Sequence, residues 1–230
     1  MTKKTNNELD LDVALADTTH KLETLYLNNK KNINIAVIAI IAVVAGYFGV
    51  KKFYFEPKEK EAQVEIFRAQ QYFEKDSFAM ALKGNGQFKG FVEIADEYSG
   101  TKVGNLAHYY AGVCMLRTGD YNGAIDMLKG FSSDNALIGP LAAGLLGDAY
   151  VESGDVESGA KQYLKAARMN KNKATSPVFY KKAGIALESL KNYSEAIDAY
   201  TNIKTDFSDT QEGADIDKYI ARATALNEGK

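Results

Sequence analysis

The sequence is poor in the residues that build reactive and metal-binding sites. It contains one cysteine, Cys114, so no disulfide bond can form within the chain. Its two histidines, His20 and His108, lie far apart in sequence, on opposite sides of a long apolar run. We therefore expect no metal site made of histidine and cysteine ligands.

An excess of charge of one sign is also missing. Lysine and arginine together number 28, and aspartate and glutamate number 30, which leaves a net charge of −2. Domains that bind nucleic acid usually carry a basic excess, so we do not expect nucleic acid as a partner. With 230 residues and a 46% hydrophobic content, the chain suits one medium-sized domain plus a further segment.

Catalytic motifs are missing as well. The GNG sequence at 84–86 neither follows a strand pattern nor precedes Gly-Lys, as a phosphate-binding loop would, and no G-x-S-x-G motif occurs. Asp206 and Asp209 fit solvated carboxylates at a helix end. Cys114 fits a buried, inert thiol, and His108 a packing or groove residue. We predict a protein that is not an enzyme and that binds no cofactor, metal or small-molecule substrate.

A long apolar run, INIAVIAIIAVVAGYFGV, occupies residues 33–50 and contains no charged side chain. At about 1.5 Å per residue it spans roughly 27 Å, close to the hydrocarbon thickness of a bilayer. Lysine pairs flank the run, which is unusual for a core helix. Aromatic residues cluster at its far end, as they do where a span meets the membrane interface. The preceding tail is far longer than the basic start of a signal peptide. We predict a transmembrane helix over residues 33–52, anchored in the lipid bilayer through residues 33–50.

The lysines beside this run leave its orientation open. Positive charge favours the cytoplasmic side, and the two flanks are nearly tied, with a slight excess after the run. The lysines are Lys21, Lys30 and Lys31 before it, and Lys51, Lys52, Lys58 and Lys60 after it.

The polar tail, residues 1–32, carries five lysines and five acidic residues. A stripe within it repeats at spacings of four and three residues, which places its members on one face of a helix. Such a helix could dock on a partner or on the bilayer surface; alternatively the tail is mostly disordered, because short isolated helices are marginal. The stripe consists of Leu11, Leu15, Thr18, Leu22 and Leu25.

One phrase returns at nearly constant spacing. TGDYNGAI (118–125), SGDVESGA (153–160) and LKNYSEAI (190–197) each combine a turn, an aromatic or branched residue and a small residue three positions later. A small residue in the helix before each phrase, and a bulky residue in the helix after it, recur at steps of 35 and then 37 residues. The small residues are Gly112, Gly147 and Gly184, and the bulky residues are Leu128, Tyr163 and Tyr200.

A degenerate copy precedes these three units. FVEIADEYSGT (91–101) matches YTNIKTDFSDT (200–210), including Tyr98 with Phe207 and Thr101 with Thr210. Its first helix is expected at about 57–80, with the turn at KGNG (83–86). A final amphipathic helix at 211–227 either caps the array or docks on a partner. The units therefore cover about 57–101, 102–136, 137–172 and 173–210.

These units resemble the tetratricopeptide repeat, a helical hairpin of about 34 residues. In that family an alanine follows an aromatic residue by three positions, where the two helices touch. Together with the predicted span, the resemblance implies an all-α fold: a single N-terminal transmembrane helix, then a tetratricopeptide-type helical-hairpin solenoid over residues 53–230, with about three to four repeats and a C-terminal capping helix. Tyr121 with Ala124 and Tyr193 with Ala196 match the pattern, and Val156 with Gly159 departs from it.

In tetratricopeptide proteins the first helix of each hairpin lines a concave groove that binds partner proteins. Counting from the three helix glycines predicts a groove that is apolar in the second unit and of mixed charge beyond it. It lacks the run of Lys and Arg that suits an acidic peptide terminus, so we expect an apolar segment or a partner's helix, unless neighbouring helices fill the face. The candidate groove residues are Tyr109, Val113, Leu116, Asp148, Val151, Lys181, Ile185 and Glu188.

The order of parts carries a second resemblance. A polar tail, one span, aromatics and a small repeat domain, with FKGFVEIADEYSGTKVGNLA at 88–107, resemble the ancillary SecYEG translocon subunits, the YfgM-like family. This resemblance implies a cytoplasmic N terminus, a periplasmic repeat domain at the bacterial inner membrane, and contact with SecYEG and a membrane-anchored periplasmic chaperone. The implied function is a scaffold that helps hand over or chaperone translocated proteins. The alternatives are a structural subunit of another envelope complex, for secretion or cell division, and a regulatory subunit facing the cytoplasm.

Overall fold

The computed structural model describes the backbone of residues 6–229 and the side chains of residues 26–229. It divides the chain into two compact units, Met1–Pro57 and Lys58–Lys230. The regular structure of residues 6–229 is helical, and the one β-type contact in this range is an isolated antiparallel bridge between Gly84 and Lys89. The predicted all-α fold is confirmed.

The first unit is built from a long helix, α1 (Asn6–Val50), followed by a π-helical turn, Lys51–Phe55. Helix α1 includes residues 33–50 of the predicted span 33–52, whose last two residues lie in the π-helical turn, and the predicted tail from Asn6 onward. The leucine stripe of the tail lies outside the residues whose side chains are described. Within the helical stretch Tyr26–Phe73, the most apolar window has a mean hydropathy of 2.4, with none of it buried. By length and composition, this stretch can cross a membrane.

The first hairpin of the second unit is irregular. It contains α2 (Glu56–Phe73), α3 (Phe78–Lys83) and α4 (Phe91–Glu97). The prediction of one helix over 57–80 is wrong, because the chain leaves the helix after Phe73. Asp76 has φ 55°, a left-handed conformation that Asp tolerates at a helix end, and the backbone N–H of Ser77 donates to the carbonyl of Tyr72 at 2.9 Å to close the turn.

Three regular hairpins and a final helix follow. A 3₁₀ turn, Gly213–Asp215, precedes the final helix, which occupies the place of the predicted cap. The second hairpin pairs α5 (Lys102–Thr118) with α6 (Tyr121–Gly130), and the third pairs α7 (Ile138–Glu152) with α8 (Val156–Met169). The fourth hairpin pairs α9 (Ser176–Ser189) with α10 (Tyr193–Asp206). The final helix is α11 (Ile216–Glu228).

The recurring phrase forms the tight turn inside each hairpin. Its first turn residue is left-handed in all three copies, with φ 82° at Gly119, 94° at Gly154 and 59° at Lys191. In the first two copies the next residue is an aspartate that caps the second helix; Asp120 accepts a hydrogen bond from the backbone N–H of Gly123 at 3.0 Å. The phrase therefore encodes a helix stop followed at once by a helix start.

Close packing inside each hairpin depends on the helix glycines. Each lies against the bulky residue of the second helix so closely that an added Cβ would overlap it, and the two helices could not then keep their separation. The Cβ would lie 2.5 Å from Leu128 Cγ at Gly112, 2.6 Å from Tyr163 Cδ1 at Gly147, and 2.5 Å from Tyr200 Cζ at Gly184.

The end of the first hairpin repeats the end of the fourth at the level of single hydrogen bonds. The Thr101 hydroxyl donates to the carbonyl of Tyr98 at 2.6 Å and accepts from the N–H of Gly104 at 2.9 Å. The Thr210 hydroxyl donates to the carbonyl of Phe207 at 2.7 Å and accepts from Gly213 at 3.2 Å. The irregular first hairpin is therefore in register with the fourth at this end.

Candidate partner-binding groove

A cleft of about 810 Å³ opens along the first helices of the second, third and fourth hairpins, α5, α7 and α9. We call it the groove. Its floor is mostly apolar, and Ile185 is 48% exposed within it. Of the candidate residues, the structure places Val113, Leu116, Asp148, Val151 and Ile185 in its lining.

Tyr109 lies beside this groove and does not line it. Its ring is half-buried and contacts Tyr110 and Phe131, with ring centres 5.8 and 5.3 Å away. Burial raises the pKa of its phenol. Its local role is to pack α5 against the loop after α6.

Two candidates of the fourth hairpin, Lys181 and Glu188, are engaged by α11 and the turn before it. Lys181 Nζ pairs with Asp215 Oδ1 at 3.2 Å and lies 4.7 Å from the ring centre of Tyr219. Glu188 accepts two hydrogen bonds from the Arg222 guanidinium, at 3.0 and 2.9 Å. Both residues are therefore already paired within the array, Lys181 with Asp215 of the turn before α11 and Glu188 with Arg222 of α11.

Helix α11 acts as a cap of the array. Ile216 and Ala223 on its inner face are buried in the same core cluster as Tyr200 and Ile203 of α10. Leu226, near its end, stays 44% exposed. Since its apolar face is already buried, α11 has little left to offer as a docking helix.

A recurring arrangement ties successive hairpins together, and we call it the tyrosine bridge. In the third hairpin the buried Tyr163 donates its hydroxyl to Asp148 at 2.5 Å, and Lys182 of the next hairpin donates to the same carboxylate at 2.7 Å. Burial, and then the bond to Asp148, raise the pKa of Tyr163. The charge of Asp148 is therefore already compensated within the groove. The second copy consists of Tyr200, Glu188 and Arg222.

Comparison with protein families bears on this hairpin geometry. The model of the tetratricopeptide repeat family matches residues 106–134, which span most of α5, its turn, α6 and the following loop. The helical array is of the tetratricopeptide type. No curated protein matches the chain.

Arrays of tetratricopeptide repeats mediate contacts between proteins, and the remaining charges of this groove fit that use. Arg117 and Glu152 line it, are exposed, and take no part in the ion pairs found among the described side chains. Sequence reasoning missed both, together with Leu145 and Lys182, because counting from one glycine samples only part of a helix face. A partner segment with apolar side chains and a charge of either sign finds complementary groups here.

Neither Cys114 nor His108 lines the groove. Cys114 is buried, and burial raises the pKa of its thiol to about 12, so the nucleophilic thiolate is scarce at neutral pH. Burial lowers the pKa of His108, whose Nδ1 faces Gly130. Among residues 26–229, no group of three His, Cys, Asp or Glu side chains is placed to hold a metal ion.

Proposed function

We propose that this chain is a single-pass, membrane-anchored tetratricopeptide scaffold associated with the Sec translocon. It helps hand over or chaperone translocated proteins through protein contacts and carries out no catalysis. The observation that carries the proposal is the open, mostly apolar groove along α5, α7 and α9, in a chain that also has a helix long and apolar enough to cross a membrane. The likeness to ancillary translocon subunits supplies the partners: SecYEG and a membrane-anchored periplasmic chaperone.

The groove suits transient capture better than permanent assembly. About 810 Å³ accommodates a few side chains of an extended segment or one face of a helix. At the fourth hairpin α11 packs through buried apolar contacts and hydrogen bonds to Glu188, while Ile185 stays open to the groove. An open groove of this size suits short segments of many sequences, as a scaffold for translocated proteins requires.

Co-purification from native membranes in a gentle detergent tests the partners. We expect SecYEG subunits and an envelope chaperone to be recovered with the wild-type chain. Ile185→Glu places a charge on the groove floor and should reduce this recovery about tenfold. Leu226→Glu is the matched control, because Leu226 is similarly exposed, at 44% against 48%, but lies on α11.

Recovery that is equal for both variants, with helicity intact, would rule out the groove as the capture site. A fixed, stoichiometric set of envelope proteins without translocon subunits would replace the proposal by a structural subunit of another envelope complex.

The proposed topology places the N terminus in the cytoplasm and the repeats in the periplasm. Protease added to intact spheroplasts should then digest the repeats and spare the tail. Protection of the repeats until the membrane is lysed would place them in the cytoplasm and favour a regulatory subunit.

A further inference from the structure

A row of crevices runs along a second side of the array, between the second helices of successive hairpins. Each has the first helix of the later hairpin as its floor. The crevice between α8 and α10 measures about 320 Å³, and that between α6 and α8 about 340 Å³. The crevice between α4 and α6 measures about 800 Å³. The array therefore has one crevice on this side, here named the α4–α6 cleft, that is more than twice as large as its equivalents.

Helix length explains the size of the α4–α6 cleft. Its walls are α4, with 7 residues, and α6, with 10, whereas α8 and α10 have 14 residues each. Short walls leave part of α5 uncovered, so His108 and Met115 are exposed to the cleft from its floor.

The α4–α6 cleft and the groove open on different sides of α5. Val113 lines the groove and Met115 lines the cleft. Two residues correspond to a rotation of about 200° around a helix axis. An occupant of one site therefore does not block the other.

The lining of the cleft combines an apolar floor with acidic edges. Val92, Met115 and Met127 are half-buried in its wall, and the flexible methionine side chains adapt to varied shapes. Glu93 and Asp96 are exposed at its edge, and neither takes part in the ion pairs found among the described residues.

The charge balance is specific to this cleft. Asp120 adds a third carboxylate, and among its described lining residues Lys83 supplies the one cationic side chain. The α6–α8 crevice instead has Lys129 and Lys165. The α8–α10 crevice has two carboxylates, Glu157 and Glu195, and Lys161 pairs with Glu157 at 2.6 Å.

We propose that the α4–α6 cleft is a second docking site, which binds a short segment of a partner protein whose apolar side chains are flanked by lysine or arginine. The apolar side chains pack between Met115, Met127 and Val92, and the cations pair with Glu93 and Asp96. Negative potential at the edge of an apolar cleft attracts such a segment and rejects an acidic one. With the groove on the other side, the array holds two partners at once.

Fluorescence anisotropy tests this proposal on the full chain in nanodiscs of zwitterionic lipid, with empty nanodiscs as the blank. The probe is a labelled peptide of sequence Lys-Leu-Leu-Lys-Ala-Leu-Leu-Lys, and a second probe has glutamate at each lysine position. Glu93→Gln with Asp96→Asn removes the acidic edge. Glu157→Gln with Asp198→Asn is the matched control, because it changes the net charge equally on exposed residues of α8 and α10.

We expect the basic peptide to bind the wild-type chain and the control equally, and the edge variant about tenfold more weakly. The acidic peptide should not bind. Met127→Lys, checked for helicity by circular dichroism, should also weaken binding, whereas the groove variant Ile185→Glu should leave it unchanged. This last result separates the cleft from the function proposed for the groove.

Three outcomes would overturn the proposal: equal loss in the edge variant and the control, equal binding of both peptides, or no binding of the basic peptide beyond that of empty nanodiscs. Loss on Ile185→Glu alone would move the site to the groove.

Discussion

Arg222 of α11 donates two hydrogen bonds to Glu188 of α9, 34 residues earlier in the chain. The carboxylate of Glu188 also accepts the hydroxyl of the buried Tyr200 at 2.7 Å. One carboxylate thus holds the cap, the first helix and the second helix of the fourth hairpin together. Because Glu188 is only 12% exposed, this pair is less screened by solvent than an ion pair on the surface.

Removal of this pair should loosen the cap. Arg222→Met leaves Glu188 without its cation, and we expect the free energy of unfolding to fall by about 1–2 kcal/mol. Urea unfolding of the full chain in micelles, followed by circular dichroism, measures the change. Hydrogen exchange should show faster exchange in α11 before the other helices.

Lys204→Met is the control for this experiment. It removes the ion pair between Lys204 of α10 and Asp217 of α11, in which both side chains are more than half exposed. Such pairs contribute about 0.5 kcal/mol or less. Equal effects of the two substitutions would show that Glu188 is not a special attachment point.

The helix glycines should resist even a methyl group. Gly184→Ala forces a Cβ against the ring of Tyr200, and we expect a loss of about 1–3 kcal/mol from overpacking. Gly229→Ala is the comparison, since its nearest neighbouring atom lies at an ordinary 3.4 Å. The same urea titration compares them, and a Gly184→Ala chain as stable as wild type would mean that the two helices can separate freely.

The buried tyrosines predict sensitivity to alkali. Burial, and then a hydrogen bond to a carboxylate, raise the pKa of Tyr163 and Tyr200 above the ordinary value of 10.0. The stability that they contribute is fully present below about pH 10 and is lost as the pH rises beyond it, because the unfolded chain then releases its phenolic protons while the folded chain retains them. The urea midpoint should therefore fall from about pH 9 to about pH 11.

A double variant identifies the groups responsible. Tyr163→Phe with Tyr200→Phe should lower stability at neutral pH and flatten the alkaline decline. An unchanged slope in this variant would assign the decline to other groups.

Cys114 should be unreactive in the folded protein. It is buried, and its pKa of about 12 leaves little thiolate at about pH 8. We expect iodoacetamide to label it only after urea unfolding, as measured by mass spectrometry. A Ser194→Cys variant offers an exposed thiol for comparison and should be labelled at once. Rapid labelling of Cys114 in the native chain would show that hairpin two opens readily.

Local signals in the sequence were enough to predict the hairpins. The left-handed turn residue, the aspartate cap and the helix glycine are all short-range features, so their spacing predicts the repeat. The break after Phe73 was missed because it depends on Asp76 adopting a left-handed conformation. Asp tolerates this conformation but also adopts others, so its presence alone does not predict a helix end. The bounds of the short helices α4 and α6 could not be predicted from the sequence either. The α4–α6 cleft, which depends on those helix lengths, was therefore not predicted.

The pairing of two candidate groove residues was not predicted, for a related reason. Lys181 and Glu188 are charged residues on the inner face, as counting from Gly184 predicts. Their partners, Asp215 and Arg222, lie 34 residues further on, and no pattern in the sequence of α9 reveals that α11 folds back over them. Contacts between distant charges depend on the packed structure, which periodicity alone does not supply.

The tyrosine bridge is absent from the second hairpin. The junction between the second and third hairpins therefore lacks the polar coupling that joins the third to the fourth. Leu128 has no hydroxyl, and Val113 and Leu116 stand where the later hairpins have their carboxylates. Cohesion in a linear array is the sum of nearest-neighbour couplings, so the weakest junction limits how far unfolding at one end spreads to the other. The groove crosses this junction, from α5 to α7 and α9. A partner bound across the junction would couple the hairpins on its two sides. Thermal unfolding would then show one transition with the partner bound and two without it.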